Sequence, residues 1–262
     1  MDILERILAA KRVELEAEKR TVPMRRAIEM ASSAPPPHAI LPALRRADRV
    51  NVIAEVKRAS PAKGAIRPGA EPAAVARAYA DAGAAAISVL TDARFFLGSP
   101  GHLEEARRVV DVPLLRKDFL FEEYQIYRSR ALGADAVLLI ARVLQRRALS
   151  TLIGISRSLD MEALVEVHSE DDIARAVDAG ASLIGVNNRD LGTMTTSLET
   201  SLRLVGKLPA GAVKVSESGI ESRADIDRLR AAGYDAFLVG ERLMRDADPG
   251  AALRTLVHGV AA

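Results

Sequence analysis

One unit recurs along the chain, and it restricts the possible folds more than any other feature. It appears in DAGAAAISVL (81–90), ALGADAVLLI (131–140), DAGASLIGV (178–186) and AAGYDAFLVG (231–240). Each time a helical pattern runs into a glycine, at 83, 133, 180 or 233, and a short apolar strand follows. Glycine there suits the left-handed residue that ends a helix. The strands are apolar on both faces, as parallel strands covered by helices require. Four more strands fit between the repeats: VNVIAEV (50–56), VPLLRK (112–117), EALVEV (162–167) and AVKVSE (212–217). Helices are predicted at 71–82, 102–110, 122–132, 145–160, 169–179, 198–207, 221–232 and 249–258. Eight alternating β and α units in about 220 residues fit an α/β fold, the (β/α)8 TIM barrel. A doubly wound open sheet is the alternative, and it would usually place a glycine-rich turn after the first strand. Here that strand leads into KRASPAKGAIRPGA, which has no G-x-G-x-x-G.

Ahead of the barrel, residues 2–20 place apolar side chains at 3, 4, 7, 8 and 15, the spacing of an amphipathic helix. A second short helix is predicted at 23–31. The stretch ASSAPPPHA (31–39) reads as a Ser/Pro linker, because three consecutive prolines exclude a helix and favour extended chain. The chain therefore divides into an N-terminal helical extension with its linker (1–40) and a barrel catalytic domain (41–262).

Composition excludes several function classes. The chain has no cysteine, so disulfides, thiolate metal sites, iron–sulfur clusters and a cysteine nucleophile are ruled out. Basic and acidic residues nearly cancel, 37 against 35, and aromatics are 3%, so neither charge nor base stacking points to nucleic acid. The longest apolar runs are strand-length, so no membrane partner is expected. Asp2, Glu5 and Arg6 interrupt the N-terminus before any signal-peptide core develops, and the expected location is the cytoplasm.

In a barrel of this kind the active site lies at the C-terminal ends of the strands. The first strand ends in Glu55-Val56-Lys57, and period two puts Glu55 and Lys57 on one face. Later strands end in Arg116-Lys117-Asp118, Glu166-Val167-His168, Asn187-Asn188-Arg189, Ser216-Glu217-Ser218-Gly219 and Gly240-Glu241. The chain has seven lysines against thirty arginines, yet Lys57, Lys117 and Lys214 all fall on strands. Lysine is the cation whose pKa burial or neighbouring cations can lower toward neutrality. With Glu55 and Glu166 it suggests acid–base chemistry on a carbonyl or hydroxyl substrate. Charged strand ends can also simply mark where a sheet leaves the core. Ser218-Gly219 and Gly240 carry a second signal, because loops after the seventh and eighth strands of such barrels often bind phosphate through backbone N–H groups. Either could equally be an ordinary β-to-α turn; together they favour an organic phosphate. The histidines at 38, 102, 168 and 258 show no ligand spacing, so no metal is expected.

In this order the strand-end residues resemble the indole-3-glycerol phosphate synthase family. The resemblance runs through IAEVKRASPAKG (53–64), SVLTDARFFLGS (88–99), PLLRKDF (113–119), YQIYRSRALGADAVLLI (124–140), LVEVHSEDD (164–172), GVNNRDL (185–191), VKVSESGI (213–220) and FLVGERLM (237–244). It implies closure of an indole ring on an anthranilate-substituted deoxyribulose phosphate, with loss of carbon dioxide and water and without metal or cofactor. By resemblance Lys117 is the general acid for the ketone oxygen. Lys57 holds the substrate carboxylate and donates a later proton, Glu55 orients Lys57, and Glu166 is the base for dehydration. Asn187 and Arg189 meet sugar hydroxyls and anionic groups. Ser60, Ser218, Gly219 and Gly240 bind carboxylate or phosphate, and Phe96 and Phe119 wall the anthranilate ring. The N-terminal helix matches the family's extra segment over the barrel mouth. Many relatives carry serine where this chain has Glu241, whose carboxylate would repel phosphate and is expected to point away. The run 192–199 (GTMTTSLE) has no functional reading. The expected partner is the small-molecule substrate alone, and the chain is expected to be a monomer or weak homodimer. Two other functions compete: a Schiff-base aldolase with Lys214 as nucleophile, and a non-catalytic barrel serving as a partner subunit.

Overall fold

The computed structural model describes residues 3–190 and 192–259; Asp2 of the N-terminal helical pattern and Leu191 of the GVNNRDL segment lie outside them. Three helices come first: α1 (Ile3–Thr21), α2 (Met24–Ser33) and α3 (Ile40–Leu44). Strand β1 (Asn51–Val56) follows, then a small hairpin of β2 (Ala59–Ser60) and β3 (Gly64–Ala65), and helix α4 (Pro72–Asp81). Next come β4 (Ala86–Leu90), α5 (Ala93–Phe96), α6 (Pro100–Arg107), β5 (Leu114–Lys117), α7 (Glu123–Ala131), β6 (Ala136–Ile140) and α8 (Arg146–Ser158). The chain continues through β7 (Glu162–Val167), α9 (Glu170–Asp178), β8 (Leu183–Asn187), α10 (Glu199–Leu204) and β9 (Val213–Glu217). It ends with α11 (Arg223–Ala232), β10 (Ala236–Val239), α12 (Glu241–Arg245) and α13 (Pro249–His258).

The eight longer strands close a parallel barrel in the order β1-β4-β5-β6-β7-β8-β9-β10, with β10 pairing back to β1. The glycines of the recurring unit do what the sequence predicts. Gly83, Gly133, Gly180 and Gly233 lie at φ between +78° and +109°, turning each helix into the next strand. The strand alternation then sorts the side chains. Ile53, Leu115, Leu138, Leu164, Leu183, Val213, Val215 and Leu238 pack inside the barrel, and Ile40 and Leu44 of α3 join that cluster. The intervening residues, such as Val52, Ile87, Val137, Val165 and Ile184, pack in the separate core that includes the helices.

The N-terminal pieces differ from expectation in helix α3, which was not predicted, and in the end of α2. Helix α2 runs through Ser33, past the predicted end at 31, because Ser32 and Ser33 donate to the carbonyls of Ile28 and Glu29 at 3.0 and 2.9 Å. The linker begins where the residue before Pro35 is forced out of helical geometry, with Ala34 at ψ 146°. Leu15, Ala27 and Tyr124 form a small cluster that seats α1 and α2 against α7, and Arg128 reaches Glu18 at 2.7 Å. Among the described residues, no helix is long and apolar enough to cross a membrane.

Candidate active site

Inward parity brings Glu55, Lys57, Lys117, Glu166, Asn187 and Glu217 to one end of the barrel, where they line a cavity of about 560 Å³. Leu90, Leu138, Ile140 and Leu238 also line it, and Ile3, Leu4 and Ile7 of α1 reach the same cavity. Lys57 Nζ lies 2.7 Å from Glu55 Oε1. Lys117 Nζ lies 3.4 Å from Glu166 Oε2 and 3.6 Å from Glu217 Oε2.

These neighbours set the protonation states. Burial opposes the charge on Lys117, but Glu166, Glu217 and Glu55 outweigh it and raise its pKa above the ordinary lysine value. The structure therefore reverses the sequence argument for this lysine: it is held as an ammonium, a loaded proton donor. Burial likewise opposes the charge on Glu166, yet Lys117 and then His168 lower its pKa, and Asn187 adds a hydrogen bond. Glu217 goes the other way. Burial, reinforced by the charges of Glu166 and Glu55, pushes it up to about 8 despite Lys117. Two neighbouring carboxyls with pKa values driven apart give one ionised base and one group that carries a proton near neutrality.

Glu217 is 1% exposed, and neither carboxyl oxygen has a hydrogen-bond partner in the protein. A carboxyl whose folded pKa lies above its unfolded value binds more protons folded than unfolded. Its contribution to stability is thus present below the unfolded value near 4.5 and is lost as pH rises through about 8. Glu217→Gln should accordingly melt higher than the native chain by a margin that widens from pH 5 to pH 9. Thermal melts of both proteins across that range check this, and a constant margin would contradict it.

Sequence reading did not single out Glu217 or the glycine that accommodates it. A Cβ on Gly185 would lie 1.9 Å from Glu217 Oε1. Gly240, expected to bind phosphate, has an unpredicted task of the same kind: a Cβ there would sit 2.4 Å from Glu55 Oε1 and 2.9 Å from Glu55 Cβ. Both glycines leave room for buried glutamates, and Gly240 also lines the cavity.

The rim holds the predicted polar groups. Ser60, on the β2–β3 hairpin, is buried with its hydroxyl unpartnered and lines the cavity. Ser218 sits at φ +67° and Gly219 at +76°. A non-glycine residue in that region costs about 1–3 kcal/mol and needs support. Asn188 supplies it by donating to Ser218 O at 3.0 Å and to Ser216 Oγ at 3.1 Å. The 192–199 stretch gains a structural account: Thr196 bridges to Arg189 and its methyl packs over Gly219. Phe96 and Phe119 both line the cavity and pack against each other, with ring centroids 6.1 Å apart and planes tilted by 38°.

Glu241 corrects an expectation. Its carboxylate does not point away; it lines the cavity, paired with Arg189 at 3.0 Å, Lys63 at 3.7 Å and, in closest contact, Arg245. Three cations offset the repulsion that the sequence argument assigned to it. Lys214 is also displaced from its candidate role. It alternates with inward Val213 and Val215, so it faces away from the barrel interior, and it is absent from the cavity lining. His168 lies 3.6 Å from Glu166. Among the described residues, no group of His, Asp or Glu side chains is arranged to hold a metal ion.

A mouth that pairs ammonium groups with carboxylates over an apolar floor is equipped for proton transfer, and with the fold it defines a (β/α)8-barrel enzyme of acid–base chemistry. The family model of indole-3-glycerol phosphate synthase matches residues 4–256. The chain belongs to that family, whose members are decarboxylating, ring-closing carbon–carbon lyases. It is 48% identical to an indole-3-glycerol phosphate synthase of Carboxydothermus hydrogenoformans, over 97% of this chain and 99% of the relative. It is 48% identical to one of Roseiflexus sp., over 98% of each. Among solved structures, a mandelate oxidase variant with (S)-mandelic acid is similar in fold alone, with TM-score 0.61 and 21% identity over 93% of this chain and 89% of that one.

Proposed function

We propose that the chain acts in tryptophan biosynthesis by closing the indole ring of 1-(2-carboxyphenylamino)-1-deoxyribulose 5-phosphate, with release of carbon dioxide and water. The observation that carries the assignment of roles is Lys117, an ammonium held charged by buried carboxylates and open to the cavity. The ring carbon bearing the carboxylate attacks the C2′ ketone, and a C–C bond forms as the carbonyl π pair moves to oxygen. Lys117 gives that oxygen its proton. Loss of carbon dioxide leaves its electron pair in the ring and restores aromaticity. The C2′ hydroxyl then departs as water with a proton from Lys57, while Glu166 removes the proton whose loss forms the pyrrole double bond. Each general acid or base step is worth roughly 10²–10⁴ in rate.

Phe96 and Phe119 provide the apolar wall against the anthranilate ring. Arg189, Asn187 and Ser60 serve its anionic and hydroxyl groups, and Ser218 and Gly219, with Gly240, receive the phosphate. These positions agree with a substrate that is aryl at one end and phosphorylated at the other. The same reading places the chain in the cytoplasm as a monomer or weak homodimer, free of nucleic acid and membrane. In support, its exposed large apolar side chains (Val13, Met24, Ile28, Leu97 and Val177) are spread over several elements.

The test is direct. The purified chain, mixed with the anthranilate-deoxyribulose phosphate and excess chelator, should produce indole absorbance and fluorescence at the rate seen without chelator. Lys117 supplies the charge that a Lewis acid would otherwise bring to the ketone oxygen. Activity lost to chelator and restored by a divalent ion would overturn the metal-free mechanism.

A further inference from the structure

Helix α1 sends one charged side chain into the protein. Lys11 is 7% exposed, and its Nζ lies 2.9 Å from Asp92 Oδ2, 3.1 Å from Asp118 Oδ1 and 2.9 Å from Glu14 Oε2. An ammonium has three N–H groups, so all of them are engaged. Asp92 and Asp118 are themselves buried. Burial opposes the charge on Lys11, but Asp118 and Asp92 outweigh it and keep the group protonated.

The two aspartates stand at the roots of the segments that carry the two packed phenylalanines. Asp92 accepts from Phe95 N at 2.8 Å and so caps the short helix α5 that ends at Phe96. Gly98 returns this turn against the backbone, where a Cβ would lie 2.4 Å from Leu90 O. Asp118 accepts from Phe119 N at 2.8 Å and from Thr91 Oγ1 at 2.6 Å, and it pairs with Arg116 at 2.9 Å. Asp118 therefore has a second cation. Among the described residues, Asp92 forms an ion pair with Lys11 alone. The ring-closing steps use none of these three side chains.

We infer that Lys11 is a positioning residue: by drawing Asp92 and Asp118 onto one ammonium, it fixes how Phe96 packs against Phe119 and so shapes the apolar wall on which the anthranilate ring rests. The inference rests on the ring-closing reading of the site. Without the ammonium, nothing ties Asp92 to Asp118, and the segments that carry Phe96 and Phe119 lose their shared anchor. Lys117 is held by Glu166 and Glu217, not by Asp118, so proton donation survives the change. The loss falls on aryl binding.

The experiment uses the full chain. Lys11→Met alone leaves Asp92 uncompensated and risks misfolding. The double variant Lys11→Met with Asp92→Asn is charge-balanced and keeps an oxygen to accept from Phe95 N. It should raise KM roughly tenfold while kcat stays within about threefold, the pattern of lost substrate positioning. Fluorescence titration with the analogue whose ketone is reduced to an alcohol should show the same loss of affinity. Competitive inhibition by inorganic phosphate, which reports the far end of the site, should not change. Lys11→Arg, which keeps the charge, should recover most of the analogue affinity.

A double variant with native KM and native analogue affinity overturns the inference. So does equal weakening of analogue and phosphate, which would mean general loosening, or a Lys11→Arg protein as impaired as the double variant. If the native chain fails to convert the substrate at all, the ring-closing reading falls first and the inference falls with it. A native chain that turns over normally beside an unaffected variant defeats the inference alone.

Discussion

Lys117→Ala should lower kcat by at least about 10² while KM changes little, because the lost proton donor acts on charge that develops only in the transition state. The geometry makes this the most consequential single atom group in the barrel. The Lys117 ammonium faces Glu166 and Glu217 at 3.4 and 3.6 Å, and its charge is maintained by those carboxylates together with Glu55. Alanine removes the proton for the C2′ oxygen and also leaves the glutamates without their shared cation. They respond by taking up protons rather than by unfolding the barrel, since the strand on which Lys117 sits is paired on both sides. Lys117→Arg separates charge from proton transfer. A guanidinium keeps the charge but does not release its proton. If arginine restored turnover, Lys117 would be an electrostatic group and not the acid. Steady-state kinetics on both variants, with the reduced substrate analogue to measure binding, decide the point.

The fold was legible because its signals are local. A helix that ends in left-handed glycine and runs into a strand apolar on both faces is written in ten consecutive residues, and it repeats. Strand parity then carried Glu55, Lys57, Lys117, Glu166 and Asn187 to the barrel mouth. The same parity held the signal for Glu217, which alternates with inward Val213 and Val215. Its neighbours Ser218 and Gly219 drew the reading toward phosphate instead. Lys11 was legible in a similar way. It falls on the helical stripe of Leu4, Ile7 and Leu15, all buried, and a lysine on such a stripe calls for buried carboxylates nearby. What could not be read were groupings made by closure of the barrel. Arg245 is one helical turn from Glu241 on α12, but Lys63 and Arg189, which help to neutralise that carboxylate, come from two distant segments. Gly185 and Gly240 are glycines because of glutamates on neighbouring strands, a requirement that exists only once the register is set.

Glu166→Gln should also cost at least about 10² in kcat, with a different signature. Glutamine keeps the shape and can still accept from Lys117, but it cannot take a proton, so ground-state binding should survive. The proton it would have removed belongs to the dehydration, the last step. Ring closure and loss of carbon dioxide precede it and draw on Lys117, which the substitution leaves in place. A single-turnover experiment on Glu166→Gln should therefore release carbon dioxide ahead of indole absorbance, with the decarboxylated carbinol accumulating between them. The pH profile supplies a second readout. Lys117 and then His168 hold the Glu166 pKa below the ordinary carboxylate range in spite of burial. The acid limb of the native profile should thus fall at low pH, where Glu166 gains its proton and the base is lost, and the variant should lack that limb. Carbon dioxide and indole appearing together at a uniformly reduced rate would place Glu166 in ring closure, as the partner that sets Lys117, and would leave the dehydration to another base. Glu217 would then be the candidate, acting only where it is ionised, so that turnover would rise with pH toward about 8; it lies 3.6 Å from the same ammonium.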